Sequence, residues 1–151
     1  MFDLELNPFE LLESNPLPDV KDEWGDYSYS YEDLLKSITD KVEWLVEGGY
    51  QDYQGDFYYF GKDQQGAFYF VVGGYGSCSG CDALQACDTY EDLIELRSEL
   101  KRSIRKFDPL EEFEGWFNND AQTEWYNDED IEDFIEKANS RFPFVLKWRQ
   151  D

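Results

Sequence analysis

Histidine occurs nowhere in the 151 residues. Its absence excludes every mechanism in which imidazole is the base, the proton shuttle or the metal ligand, including Ser/His/Asp triads, Cys/His dyads and His-rich zinc sites. Cations are scarce too: 13 Lys and Arg stand against 35 Asp and Glu, for a formal net charge of −22. A chain of that charge is ruled out as a conventional phosphate-gripping binder of nucleic acid. The three cysteines are an odd number, and the opening MFDLELNPFELLE is acidic where a secretion signal would be basic. A disulfide framework is therefore not expected, the thiols are expected to be reduced, and the expected location is cytoplasmic. No apolar run approaches the roughly 18 residues of a membrane span. The chain also lacks a P-loop, a GxGxxG fingerprint and a GxSxG elbow, and Gly73-Gly74-Tyr75-Gly76 has no Lys to hold a phosphate. With so many acids, some pair falls at glycosidase spacing by chance, so their number is no argument for catalysis. The expectation is a protein that is not an enzyme and needs no cofactor.

What the chain has in abundance is aromatic side chains. Twelve Phe, 11 Tyr and 5 Trp make up 19% of the residues, enough to bury a core despite the charge. Residues 1–29 hold acids, Lys21 and three of the prolines, and read as an irregular acidic arm, docked if at all through its Leu and Phe positions; residues 30–151 read as one domain. Ser30 with Asp33 forms a capping-box variant, and Tyr31, Leu34, Leu35, Ile38, Val42, Leu45 and Val46 recur at helical spacing, which predicts a helix that stops at Gly48-Gly49. Residues 54–61 and 67–72, joined by a Gly-containing loop, predict a β-hairpin with Phe57, Tyr59, Phe68 and Phe70 or their alternates inside. A short helix is expected over Asp82–Ala86, a long one from Thr89 to Phe107, and a third from Leu110 to Phe117 before the loop Asn118-Asn119-Asp120. Asn127 or Asp128 caps a fourth helix to about Ser140, with Ile131, Phe134, Ile135 and Ala138 inward, and Phe142–Trp148 alternates as a final strand. The fold class is α+β: a small, mostly antiparallel sheet around a central hairpin, packed against about four helices.

The segment Tyr53-Gln54-Gly55-Asp56, the aromatic hairpin and Gly76-Ser77-Cys78-Ser79-Gly80-Cys81-Asp82-Ala83-Leu84-Gln85-Ala86-Cys87 resemble a group of uncharacterised small proteins of bacteria and their phages. The resemblance spans about residues 42–107 and implies a shared structural unit, with no activity attached. Within it, Cys78, Cys81 and Cys87 allow three readings. Three thiolates with Asp82 or Asp88 as fourth ligand could hold zinc, although the spacing to Cys87 is atypical. The C-x-x-C pair ahead of a helix could act in redox chemistry, although neither Trp nor Pro accompanies it. The preferred reading is that Gly, Ser and Cys are small residues that let a strand turn into a helix beneath the aromatic hairpin. A metal- or thiol-dependent module centred on these cysteines is the alternative function.

Between Asp108 and Glu136 lie 12 acids and neither Lys nor Arg. Ordinary surfaces mix signs, because like charges at i,i+4 on a helix repel by a few tenths of a kcal/mol. Asp128, Glu132 and Glu136 form one i,i+4 row and Glu129 with Asp133 its neighbour, successive carboxylates being about 6 Å apart along the axis. That repeat is close to the phosphate spacing of a nucleic-acid strand. Asp120, Glu124, Asp128, Glu129, Glu132, Asp133 and Glu136 are thus the candidate partner-binding residues. The expected partner is a basic protein surface that itself binds nucleic acid, with no direct contact to nucleic acid or membrane. Small phage inhibitors of restriction or CRISPR systems are similar in size and charge. The plainer alternative is a solvated, solubilising face. Five of the cations, Arg97, Lys101, Arg102, Arg105 and Lys106, are expected on the last turns of the long helix. The oxygen-rich segments around Asn118 and Asn127 lack EF-hand spacing, so calcium is not expected.

Overall fold

A computed structural model describes residues 16–76 and 82–149. Its centre is the expected hairpin, β2 (Gly55–Lys62) and β3 (Phe68–Tyr75), in register from Gly55↔Tyr75 to Lys62↔Phe68. An edge strand, β1 (Glu43–Gly49), and a three-residue strand, β4 (Arg105–Phe107), complete an antiparallel sheet in the order β1-β2-β3-β4. Helices cover both faces. On one lie α1 (Tyr31–Ile38) and α2 (Tyr90–Ser103), on the other α3 (Leu110–Asn118) and α4 (Asp128–Arg141), the last two joined through a 3₁₀ turn at Asp120–Thr123. The α+β class therefore holds. None of the described helices is long and apolar enough to cross a membrane.

Covering both faces decides which aromatics are buried. Phe57 and Tyr59 pack with Leu34, Leu35, Leu93 and Leu100 of α1 and α2. Tyr58 and Phe60 point the other way, onto Phe113, Phe117 and Phe134 of α3 and α4. All four are nearly inaccessible, so both alternating sets of the hairpin are core, as in any strand buried on two sides. The α1 and α2 capping boxes are formed: Ser30 and Thr89 accept from the backbone N–H of Asp33 and Asp92, whose carboxylates accept in return.

Several boundaries differ from the sequence reading. α1 ends at Ile38 rather than running to Gly48, because Thr39 turns extended and Trp44 and Val46 enter the sheet, with Val42 just ahead of it. A register shift between Trp44 and Val46 puts Val42 and Trp44 in one core and Val46 in the other. That bulge breaks the period of two and leaves a helix-like apolar spacing. α2 stops at Ser103, so that Ile104 and Phe107 are buried from extended chain and Arg105 and Lys106 lie on β4. Residues 82–86 form a turn rather than a helix. From the N-terminal arm, residues 16–29 dock irregularly through buried Leu17, whose carbonyl accepts from the Tyr90 hydroxyl at 2.5 Å, and through Lys21, which donates to the Asp88 carbonyl. The Leu and Phe positions named for docking, from Phe2 to Leu12, lie outside the described residues.

The expected C-terminal strand is extended but joins no sheet. Phe144 and Leu146 are buried while Val145 and Lys147 face out, so the alternation is real. Side-chain amides take the place of a neighbouring strand. Asn118 of α3 donates to the Val145 carbonyl at 2.9 Å and accepts from the Lys147 N–H at 2.8 Å; Asn139 of α4 accepts from the Leu146 N–H at 2.8 Å and donates to its carbonyl at 3.2 Å. The tail thereby ties α3 to α4. Replacing Asn139 with Ala orphans both Leu146 backbone groups and is expected to cost about 1–2 kcal/mol. Amide exchange at Leu146 should accelerate while that of β2 stays slow; unchanged exchange at Leu146 would contradict the assignment.

Candidate functional site

The acidic segment contains two kinds of carboxylate. The first kind begins at the N-cap of α4, where the Asn127 side chain accepts from the Asp130 N–H at 3.1 Å. This start turns Asp130 toward the sheet, where it is 1% exposed. Its Oδ1 accepts from the Gln51 N–H at 2.9 Å and its Oδ2 from the Asp56 N–H at 2.8 Å. The tie is reciprocal: the Asp56 carboxylate accepts from the Asn127 N–H at 2.6 Å and from the Tyr58 hydroxyl at 2.9 Å. One turn further along α4, Asp133 accepts from the Gly49 N–H at 3.0 Å and pairs with Lys137 at 3.0 Å. Glycines make room. A Cβ on Gly55 would lie 2.2 Å from Asp130 Oδ2, and one on Gly48 would lie 2.5 Å from the Phe134 Cα.

The second kind faces water. Glu129, Glu132 and Glu136 are exposed on α4, and among the described residues no cation lies within ion-pair distance of them. Asp128 completes the outer row, its side chain 71% exposed, but it accepts from the Trp148 indole N–H at 3.1 Å and has Arg149 at 3.9 Å. Asp120 is exposed on the 3₁₀ turn, and Glu124 is half-buried with its carbonyl accepting from the Arg149 guanidinium. Of the seven residues singled out from sequence, Asp133 is thus misassigned as a free surface acid: its side chain is 16% exposed and it anchors β1. Trp125 is the residue that sequence reasoning missed. It is 96% exposed beside Glu124 and just ahead of α4. The only signal was a lone Trp in an acidic stretch without an apolar period.

The cations do not gather against this face. The Arg105 guanidinium lies 4.9 Å from the centre of the Trp116 ring, and Arg97 donates to the Ser37 hydroxyl. Asn118 and Asn119, from the oxygen-rich loop, spend their amides on backbone groups.

In the thiol segment, Cys78 and Cys81 lie outside the described residues. Cys87 is half-buried with its Sγ donating to the Ala83 carbonyl at 3.3 Å; burial, then the charges of Asp92, Asp88 and Asp82, push its thiol up. Reactive and metal-ligating thiolates require the opposite shift. Asp82 is buried and committed to the protein, with Oδ2 accepting from the Gly76 N–H and Oδ1 from the Tyr31 hydroxyl and the Leu84 and Gln85 N–H groups. It staples the two ends of the segment 76–82. Among the described residues, no three His, Cys, Asp or Glu side chains are grouped to hold a metal ion. Comparison of the chain with protein-family models, curated proteins and solved structures gave no match.

Two outcomes follow from this geometry. Asp130→Ala orphans two backbone donors and is expected to destabilise the protein by about 3 kcal/mol, read as a lower urea midpoint. Glu129→Ala should shift it by no more than about 0.5 kcal/mol; equal losses would refute the division. In peptide-mapped iodoacetamide labelling at pH 8, Cys87 should react more slowly than a free cysteine, and faster labelling would restore a chemical role for that thiol.

Proposed function

We propose that the protein is a non-enzymatic inhibitor that occupies a basic, nucleic-acid-binding surface of a partner protein. The observation that carries the reading is the row Glu129, Glu132 and Glu136, exposed and, among the described residues, without a cation at ion-pair distance, on a helix whose orientation is fixed by Asp130 and Asp133. A solubilising face needs charge but no fixed direction. Here the helix is tied at its first turns to the β1–β2 turn and near its end to the C-terminal tail through Asn139, so the backbone that carries the carboxylates is held before any partner arrives. Preorganised charge of this kind raises association rate and specificity. Trp125, exposed just ahead of α4, supplies a large apolar anchor of the kind that interfaces concentrate at their centre. The biological role that fits is of the phage anti-defence type, blocking the groove of a restriction, CRISPR or other DNA-processing complex.

The test uses the immobilised protein as bait in a bacterial lysate, with duplex DNA as eluant. The reading expects a nucleic-acid-binding protein to be retained, displaced by the DNA, and released as salt rises toward about 1 M, where the Debye length falls to about 3 Å. Replacing Glu129, Glu132 and Glu136 together with Lys should abolish retention while the urea midpoint is kept. If the triple variant retains the same protein at about 0.1 M salt, mimicry through α4 is wrong.

A further inference from the structure

On the α1 side of the β1–β2 turn, a separate pocket of about 410 Å³ opens between Tyr31, Tyr50, Tyr59 and Tyr75. Tyr27 and Tyr29 extend its rim, so that six of the 11 tyrosines line one cavity. Three carboxylates, Glu32, Glu47 and Asp82, share the wall, and among the described residues no Lys or Arg does. The phenol hydroxyls are already engaged. Tyr59 donates to Glu47, Tyr31 to Asp82, Tyr27 to Asp19 and Tyr75 to the Asp52 carbonyl. Burial pushes the Tyr50 phenol up to about 12, so this ring stays neutral.

The three acids are not equivalent. Asp82 is saturated by its donors and Glu32 pairs with Lys36 at 3.0 Å, whereas Glu47, which is exposed, accepts among the described residues from Tyr59 alone. Glu47 is the carboxylate with capacity for a cation. Tyr50 has φ 58°, a left-handed backbone that a bulky side chain adopts only when its surroundings impose it. Its N–H donates to the Asp56 carbonyl at 3.1 Å, and its ring stacks on Phe57 at 5.5 Å and tilts against Tyr75 at 4.8 Å. Aromatic rings attract cations, most strongly where the cation sheds water and a carboxylate stands by.

We infer that this tyrosine pocket is a receptor for one organic cation head, an alkylammonium or guanidinium, with Glu47 as counter-ion and Tyr50 in its aromatic wall. The inference rests on the proposed function only for the source of the cation, a Lys or Arg side chain of the basic partner. Sodium and other hydrated ions gain little from the rings and are not its ligands.

The experiment needs no partner. N-acetyl-arginine amide, N-acetyl-lysine amide and tetramethylammonium are titrated into the isolated protein at constant ionic strength, with the proton shifts of each probe as readout. Ring currents should move the probe signals upfield for the arginine or lysine amide. Glu47→Gln, which still lets Tyr59 donate, and Tyr50→Asn, which suits a positive φ, should each weaken binding about tenfold. Glu111→Gln, on exposed α3 surface, should leave it unchanged. If Tyr50→Asn fails to fold, Glu47→Gln alone decides. A shift equally large in both pocket variants, or reduced by Glu111→Gln, overturns the site, and so does no shift with any probe. Tetramethylammonium binding without either amide overturns the partner side chain as source. None of these results bears on whether the α4 variant retains a partner, so the two readings fail separately.

Discussion

The carboxylate of Asp130 sits where the sheet and the acidic helix meet, and the rest of the arrangement depends on it. A buried carboxylate is tolerated only when donors surround it. Here the donors are two backbone N–H groups from opposite ends of the β1–β2 turn, at Gln51 and Asp56. Gly55 leaves the space that the carboxylate fills. The same bonds settle three things together. They fix the start of α4, they hold the turn that carries Tyr50 in its left-handed conformation, and they leave Glu129, Glu132 and Glu136 on the outward side.

Charge is therefore used in two ways within one helical turn. Asp130 and Asp133 spend their negative charge on backbone donors of the neighbouring strands, while Glu129 and Glu132 keep theirs for solvent or a partner. Like-charge repulsion along α4 costs only a few tenths of a kcal/mol per pair. The ties through Asp130, Asp56 and Asn127, with the aromatic packing of Tyr58, Phe134 and Phe117 beneath them, offset it readily.

Local chemistry made much of this fold legible in the amino-acid sequence. The hairpin, the capping box at Ser30, the start of α2 at Thr89 and the inward face of α4 follow from turn residues, caps and apolar spacing within a few residues. What escaped depended on distant partners. β1 reads as helix because its bulge mimics helical spacing, and the tail, whose alternation reads as a strand, joins no sheet because Asn118 and Asn139 take the place of a neighbouring strand. The site divides in the same way: the exposed row on α4 follows from the 3.6-residue period. That Asp130 is internal depends on an amide 74 residues away, at Asp56, and composition carries no trace of that. Trp125 escaped because exposure of a single aromatic is decided by packing around it.

Carboxyl labelling with a water-soluble carbodiimide and glycine ethyl ester, mapped by peptide mass spectrometry before and after partner binding, tests the central claim most directly. In the free protein, Glu129, Glu132 and Glu136 should be modified readily and Asp130 scarcely at all. In the complex, those three glutamates should become protected while Glu111 and Glu112 on α3 change little. Ready modification of Asp130 in the native free protein would contradict the division of the acids, and a complex that leaves Glu129, Glu132 and Glu136 fully reactive would contradict their role as the binding face.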